Sequence, residues 1–277
     1  MKDVMLITGA SKGIGLALVV EALEAGYKVA ATSRNKDELT KVVAEKLNND
    51  KLMEQFLPIA MPFETKAMQQ AVDATVAKFG RLDILVNNAG YAVLGALEDI
   101  SLDKAKANFD VNVFGLLEMT QIALPALKNS GHGKIINLAS ISSSVTGPTQ
   151  GIYAATKAAV LMMSETMSME FAADNIQVTA ICPSGVRTDF LDAKSMDKVT
   201  GQNEVAQKTL QALADFNHNQ SGNPVLVARA ILAVLKMEQM PMRLYLGRPA
   251  MKELQAKLKE VADNAQEYID LSLSIDD

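Results

Sequence analysis

The sequence predicts a doubly wound α/β fold: one parallel sheet with helices on both faces, forming a single domain over residues 1–277. Short apolar runs alternate with longer amphipathic patterns along most of the chain, which is the signature of β-α-β units with right-handed crossovers. Most of the short runs are apolar throughout rather than at every second residue, as strands must be when both faces are covered. With 277 residues, 49% of them apolar, the chain can build one large α/β domain but has little room for two.

Residues 4–7, 28–32, 56–60, 83–86, 134–138 and 176–181 read as strands, with a further one at 244–246. Residues 14–25, 36–47, 66–79, 104–128 and 152–172 read as helices, and Gly26 and Gly80 follow two of them where a left-handed cap is wanted. The polar stretch 188–223, with Gly201 and Gly222, interrupts the rhythm. It is expected either to be a substrate lid or to form a peripheral helical pair. Residues 251–277 form a charged helical extension that ends acidic, placed to cap a substrate site or to meet a neighbouring subunit.

Composition narrows the function. Net charge is −5, from 27 basic and 32 acidic residues without a basic block, which argues against nucleic-acid binding. Cys182 is the only cysteine and His132 and His218 the only histidines, so an internal disulfide, a metal site and most His-dependent triads are not expected. The opening MKDVMLITGASKG is too broken for a signal peptide, and no run is long enough to cross a membrane. A cytoplasmic protein is therefore expected.

The first strand runs into Thr8-Gly9-Ala10-Ser11-Lys12-Gly13-Ile14-Gly15. Gly9 allows the tight turn, Gly13 lets a pyrophosphate approach the backbone, and Gly15 lets the following helix pack on the sheet. The helix then offers free amides and a positive dipole end to the phosphates. Three glycines alone are a weak signal; their place between strand and helix strengthens it. The second strand ends Ala31-Thr32-Ser33-Arg34-Asn35, without the acidic residue that reads a free ribose 2′-hydroxyl. Arg34, with Lys12, can instead meet a 2′-phosphate, so NADP is expected rather than NAD. The alternative is that both side chains are simply solvated cations.

Tyr153 and Lys157, at i and i+4 of a helix, share one face. A nearby ammonium stabilises a phenolate and lowers its pKa, which is useful where a forming alkoxide needs a proton. Such pairs also arise by chance. Ser140, just past the strand 134–138, stands where open α/β sheets place their ligand crevice and can hold a substrate oxygen.

Taken together, Thr8 to Gly15, Asn87-Asn88-Ala89-Gly90, Asn112, Ser140 and Tyr153-xxx-Lys157 resemble the short-chain dehydrogenase/reductase family in order and spacing. Pro183-Ser184-Gly185-Val186-Arg187-Thr188 looks like its later cofactor-side motif, and the likeness runs from residue 3 to about 250. The TGxxxGxG form is similar to the compact single-domain branch with a Rossmann fold. This resemblance implies an NAD(P)-dependent oxidoreductase that interconverts a carbonyl and an alcohol. Tyr153 would be the general acid or base, Ser140 would polarise the substrate oxygen, and Lys157 would tune the tyrosine and bind the nicotinamide ribose. Asn112 would hold a water in a proton path. It also implies cofactor contacts at Ser11, Lys12, Ile14, Ser33, Arg34, Asn87, Ala89, Gly90, Pro183, Val186 and Thr188, beside the three glycines of the turn.

Two positions depart from the family pattern. Met61 stands where an aspartate often meets the adenine, and Ser184 where glycine is usual. Tyr91, Val93, Leu94, Val145, Phe190 and Leu191 would wall an apolar pocket. The stretches 91–98 and 246–256 resemble hydroxysteroid- and retinol-type dehydrogenases, implying a hydrophobic small-molecule ketone, aldehyde or alcohol. Long apolar helices at 104–128 and 152–172 suggest a homodimer or homotetramer. A silent NADP-binding regulator, or an epimerase or dehydratase on the same fold, are the competing readings.

Overall fold

The computed structural model describes residues 3–192 and 195–276, so residues 193 and 194 of the expected lid, and the chain ends, lie outside it. Its strands are β1 (Val4–Ile7), β2 (Lys28–Ser33), β3 (Phe56–Ala60), β4 (Ile84–Asn87), β5 (Val93–Leu94), β6 (Lys134–Leu138), β7 (Gln177–Pro183), β8 (Asp197–Lys198) and β9 (Arg243–Leu246). The helices are α1 (Gly13–Glu24), α2 (Lys36–Leu47), α3 (Asp50–Met53), α4 (Thr65–Phe79), α5 (Leu102–Phe109), α6 (Gly115–Ser130) and α7 (Gly151–Glu170). After these come α8 (Glu204–Phe216), α9 (Pro224–Val234), α10 (Arg248–Glu267) and α11 (Ile269–Leu273).

Seven strands form one sheet in the order β3-β2-β1-β4-β6-β7-β9, every neighbouring pair parallel. The chain winds outward from β1 to β3, then crosses back to β4 on the other side of β1. That reversal opens a crevice at the carboxyl edge between β1 and β4. Both faces are covered, as the uninterrupted apolar strands require: Leu18, Val19, Leu39 and Ile231 belong to one core, and Met68, Met119 and Leu161 to the other. Gly26 and Gly80 adopt φ of 89° and 85°, the left-handed caps expected of them.

Polar side chains stitch the second core together. Asn87 Nδ2 donates to Thr120 Oγ1 and to Asn137 Oδ1, and Asn137 Nδ2 donates to Ser164 Oγ, linking β4, α6, β6 and α7 in one buried chain. Such groups stay buried only when partnered, so they fix the register of these elements.

Three readings of the sequence need correction. The strand expected at 83–86 begins at Ile84; Asp83 instead serves as a latch, fully buried, accepting from Val4 N at 2.8 Å and Arg81 Nε at 2.7 Å. The helix expected over 104–128 is broken into α5, a π-turn (Asp110–Phe114) and α6. Asn112 sits in that turn with its side chain held by the backbone of Tyr91 and by Thr156, which favours the extra residue over a regular turn. The stretch 188–223 is more ordered than its composition suggests. It contains α8 and the strand β8, which pairs in parallel with β5 as a second small sheet. Two-residue strands carry no periodicity from which to read them.

Asp83→Ala should lower stability by about 2–3 kcal/mol, because the Val4 amide and the Arg81 guanidinium lose their buried acceptor together. Asp83→Asn, which keeps an acceptor for Val4, should cost less. Urea unfolding of the three proteins checks this, and equal midpoints would contradict the latch.

Candidate active site

At the carboxyl edge of the sheet lies a cleft of about 1030 Å³. Its floor is the glycine turn, and the turn's shape is set by the loop after β4. Thr8 Oγ1 accepts from the amides of Asn88 and Ala89, both at 3.1 Å, while Asn88 Nδ2 donates to the carbonyls of Thr8 and Gly9 at 2.9 Å. Gly9 has φ of 66°, and a Cβ there would lie 2.7 Å from the Ala89 Cα. Any side chain would push the two loops apart. Gly15 is equally confined, between the Asn88 side chain and the Gly9 carbonyl.

No side chain caps the first turn of α1, whose N-cap is Lys12, and Ser11, Lys12, Gly13 and Ile14 line the cleft. Backbone donors without partners at a helix N-terminus opening into a cleft suit a pyrophosphate. Thr32, Ser33 and Arg34 line the same cleft from the end of β2, and Met61 and Phe63 add an apolar surface where an adenine ring can lie. These residues fit a nicotinamide dinucleotide. Lys12 reaches the loop after β7 and bonds Ser195 Oγ, so its amine bridges across the cleft.

The reacting end is built by β6 and α7. Ser140 ends β6 and turns the chain, its Oγ accepting from Ser142 N at 3.1 Å. Tyr153 packs its ring on Phe190, with centroids 5.8 Å apart. Lys157 Nζ donates to the Leu138 carbonyl at 2.6 Å and lies 5.9 Å from the Tyr153 ring centre. All three line the cleft. Asn112 does not, although a Cβ on Gly90, which does, would lie 2.9 Å from Asn112 Oδ1 and 3.6 Å from Lys157 Nζ.

The electrostatics differ from the sequence expectation. Burial pushes the Tyr153 phenol up to about 12, with only Ser140 pulling it down. Burial likewise pushes the Lys157 amine down to about 8, partly opposed by Cys182. A phenol lowered by its lysine neighbour was expected; here burial raises it, and the amine donates to a backbone carbonyl. A neutral phenol beside a serine hydroxyl can donate a proton to an oxygen placed between them.

Other expected residues fall outside the cleft lining. Asn87 is buried in the inter-element chain described above, Gly15 packs behind the turn, and Val93 faces away while Tyr91, Leu94, Val145, Phe190 and Leu191 border the cleft. Pro183, Val186 and Thr188 border it as expected, with Ala89 and Gly90. The sequence reading missed Leu213 and Phe216 of α8, Gln220, and Pro249 and Glu253 of α10, which also line it. The apolar positions of α8 are visible in the sequence, but nothing there says which surface they meet.

Comparison with known proteins agrees with this geometry. The family model described as short chain dehydrogenase matches residues 3–199. A Botryotinia fuckeliana protein named Oxidoreductase BOA17 is 34% identical over 99% of both chains. A 3-ketodihydrosphingosine reductase of Bacteroides thetaiotaomicron is 31% identical over 96% of both. Among solved structures, a short-chain dehydrogenase from Streptomyces avermitilis superposes with a TM-score of 0.89 at 29% identity, each chain fully covered. The chain belongs to the short-chain dehydrogenase family and is a nicotinamide-dependent oxidoreductase.

Proposed function

We propose that the chain reduces an apolar ketone or aldehyde to the alcohol with NADP as its cofactor, Tyr153 supplying the proton. The observation that carries this reading is the neutral Tyr153 phenol, held beside Ser140 and Lys157 in a cleft walled by Leu94, Val145, Phe190, Leu191, Leu213 and Phe216. A relative that acts on a keto-sphingoid lipid, as its name states, fits such a wall.

The cofactor supplies the hydride. Ser140 holds the substrate oxygen, and Tyr153 gives its proton to that oxygen as negative charge develops there. The neutral phenol carries the proton that reduction consumes, and NADP as the cofactor favours the reductive direction. Lys157, anchored on Leu138, offsets the phenolate left behind and would bind the nicotinamide ribose. Asn112 completes the set by fixing the π-turn beside Lys157, where the proton path to solvent would begin. Gly9, Gly13 and the α1 amides would hold the pyrophosphate, with Arg34 on the ribose 2′-phosphate and Val186 and Thr188 near the carboxamide. Residues 188–223 would act as the substrate lid, Lys12 and Ser195 forming its latch to the glycine turn. The exposed Phe114, Met162 and Met169 give α7 and the π-turn an apolar face suited to a homo-oligomer.

Tyr153→Phe should cut turnover by about 10²–10⁴-fold while leaving the NADP dissociation constant unchanged, since only the transferable proton is removed. A ketone screen followed at the nicotinamide absorbance reads the first, a titration the second, and retained turnover would refute the assignment. Arg34→Glu should weaken NADP by about tenfold or more yet leave NAD nearly unaffected. Equal losses for both would remove the preference.

Lys157 gives a pH signature. Its amine titrates near 8 when folded and at 10.5 ordinarily, so between these values the unfolded chain holds more protons and stability rises with pH. One such proton contributes at most about 1.4 kcal/mol per pH unit. Below 8 both states are protonated and the slope vanishes. Lys157→Met should abolish the rise between pH 8 and 9; above about 9 the Cys182 thiol, which burial pushes up from its ordinary 9.0, acts in the opposite sense. Denaturant melts across that range would show parallel profiles if the amine were not depressed.

A further inference from the structure

Helix α10 leaves the body of the protein at the rim of the cleft, where Pro249 and Glu253 line it, and among the described residues nothing covers the rest of it. From Met251 to Asp276 every residue is exposed except Leu254 and Lys257, which are half-buried. Yet the helix is not polar all round. Met251, Leu254, Leu258, Val261, Ala265 and Tyr268 follow one another at alternating steps of three and four, which places them in one stripe along the helix. Leu258 is 60% exposed and Val261 54%. A lone 20-residue helix gains little from propensity and draws its stability from burying such a stripe.

The charges say what fits it. Residues 248–259 carry Arg248, Lys252, Lys257 and Lys259 against one acid, Glu253; residues 260–267 carry Glu260, Asp263 and Glu267 and no base. Lys257 and Lys259 already lean on Glu260 and Asp263 within the helix, leaving Arg248 and Lys252 at one end and Glu267 at the other. A helix basic at its start and acidic at its end repels a parallel copy of itself and attracts an antiparallel one.

The stripe has the same symmetry. Turned end for end, Met251 meets Tyr268 of the second copy, Leu254 meets Ala265, and Leu258 meets Val261, so every apolar position faces another over a length of about 25 Å. We infer that α10 pairs with α10 of a second copy of this chain, antiparallel about a two-fold axis between Lys259 and Glu260. This is an isologous contact, separate from the faces of α7 and the π-turn. In this register Tyr268 of the second copy lies over Met251, beside the cleft rim formed by Pro249 and Glu253. An anionic membrane is the poorer occupant, because the stripe's second half is flanked by acids alone.

Energy transfer between labelled copies tests this. Cys182 is buried, so Ala256→Cys, off the stripe, provides one reactive thiol for donor or acceptor. Mixed native-sequence copies should transfer efficiently and lose transfer on dilution with unlabelled chain. L258E/V261E should remove the transfer that α10 pairing supplies, leaving at most the weaker transfer of a contact through α7, with turnover unchanged. K252E/K257E/K259E and E260K/D263K/E267K should each raise the self-dissociation constant by about tenfold or more, and mixing the two should restore transfer. Undiminished transfer in L258E/V261E, or failure of the mixture to restore it, would overturn the pairing. So would binding to phosphatidylglycerol vesicles that the stripe mutations remove while transfer persists.

Discussion

The contact on which the rest of the site depends is the embrace between the glycine turn and the loop after β4. Two strands adjacent in space, β1 and β4, are far apart in sequence, and the crevice exists because the winding reverses between them. What holds its walls at a fixed separation is a set of four hydrogen bonds joining Thr8 and Gly9 to Asn88 and Ala89. The glycines matter less for flexibility than for absence. Gly9 and Gly15 each occupy a place where a Cβ would meet backbone, so the turn closes on Asn88 and its amides are left facing the cleft. The shape of the turn is thus set by its packing against the loop after β4.

A second constraint carries the reacting end. Asn112 satisfies both the amide and the carbonyl of Tyr91 and reaches Thr156, one residue before Lys157. A single side chain therefore joins the cleft wall, the π-turn and the helix that bears Tyr153. The buried chain Thr120–Asn87–Asn137–Ser164 does the same one layer deeper. Both arrangements use asparagine because its amide can donate and accept at once, and only the one at Asn112 departs from regular helix geometry, where the side chain bonds backbone groups of Tyr91.

Much of this was legible in the sequence, and the misses have physical causes. Apolar runs such as Val4–Ile7 and Phe56–Ala60 announce buried strands directly. Tyr153, Lys157 and Ser140 could be placed because helical spacing and strand ends fix where side chains point. Asn87 misled because its motif points to the cofactor side, whereas a single step along a strand turns a side chain from cleft to core. The π-turn was invisible because it depends on Asn112 finding Tyr91, a contact no local pattern encodes. Leu213, Phe216 and Glu253 were missed for the same reason: their helices are readable, their docking is not.

The tyrosine poses the sharpest physical question. Burial that raises the phenol to about 12 makes it a weaker acid and its phenolate a stronger base, so the proton leaves only for an oxygen more basic still, as a forming alkoxide is. The amine that would balance the resulting phenolate is itself brought down to about 8 by the same burial. The two shifts share one origin, desolvation of a pair enclosed by Phe190, Ser140 and the end of β6. Any change that admits water at Phe190 should relax both at once, lowering the phenol and raising the amine. The apolar wall therefore has two physical effects: it gives the cleft an apolar surface, and by excluding water it shifts both ionisable groups.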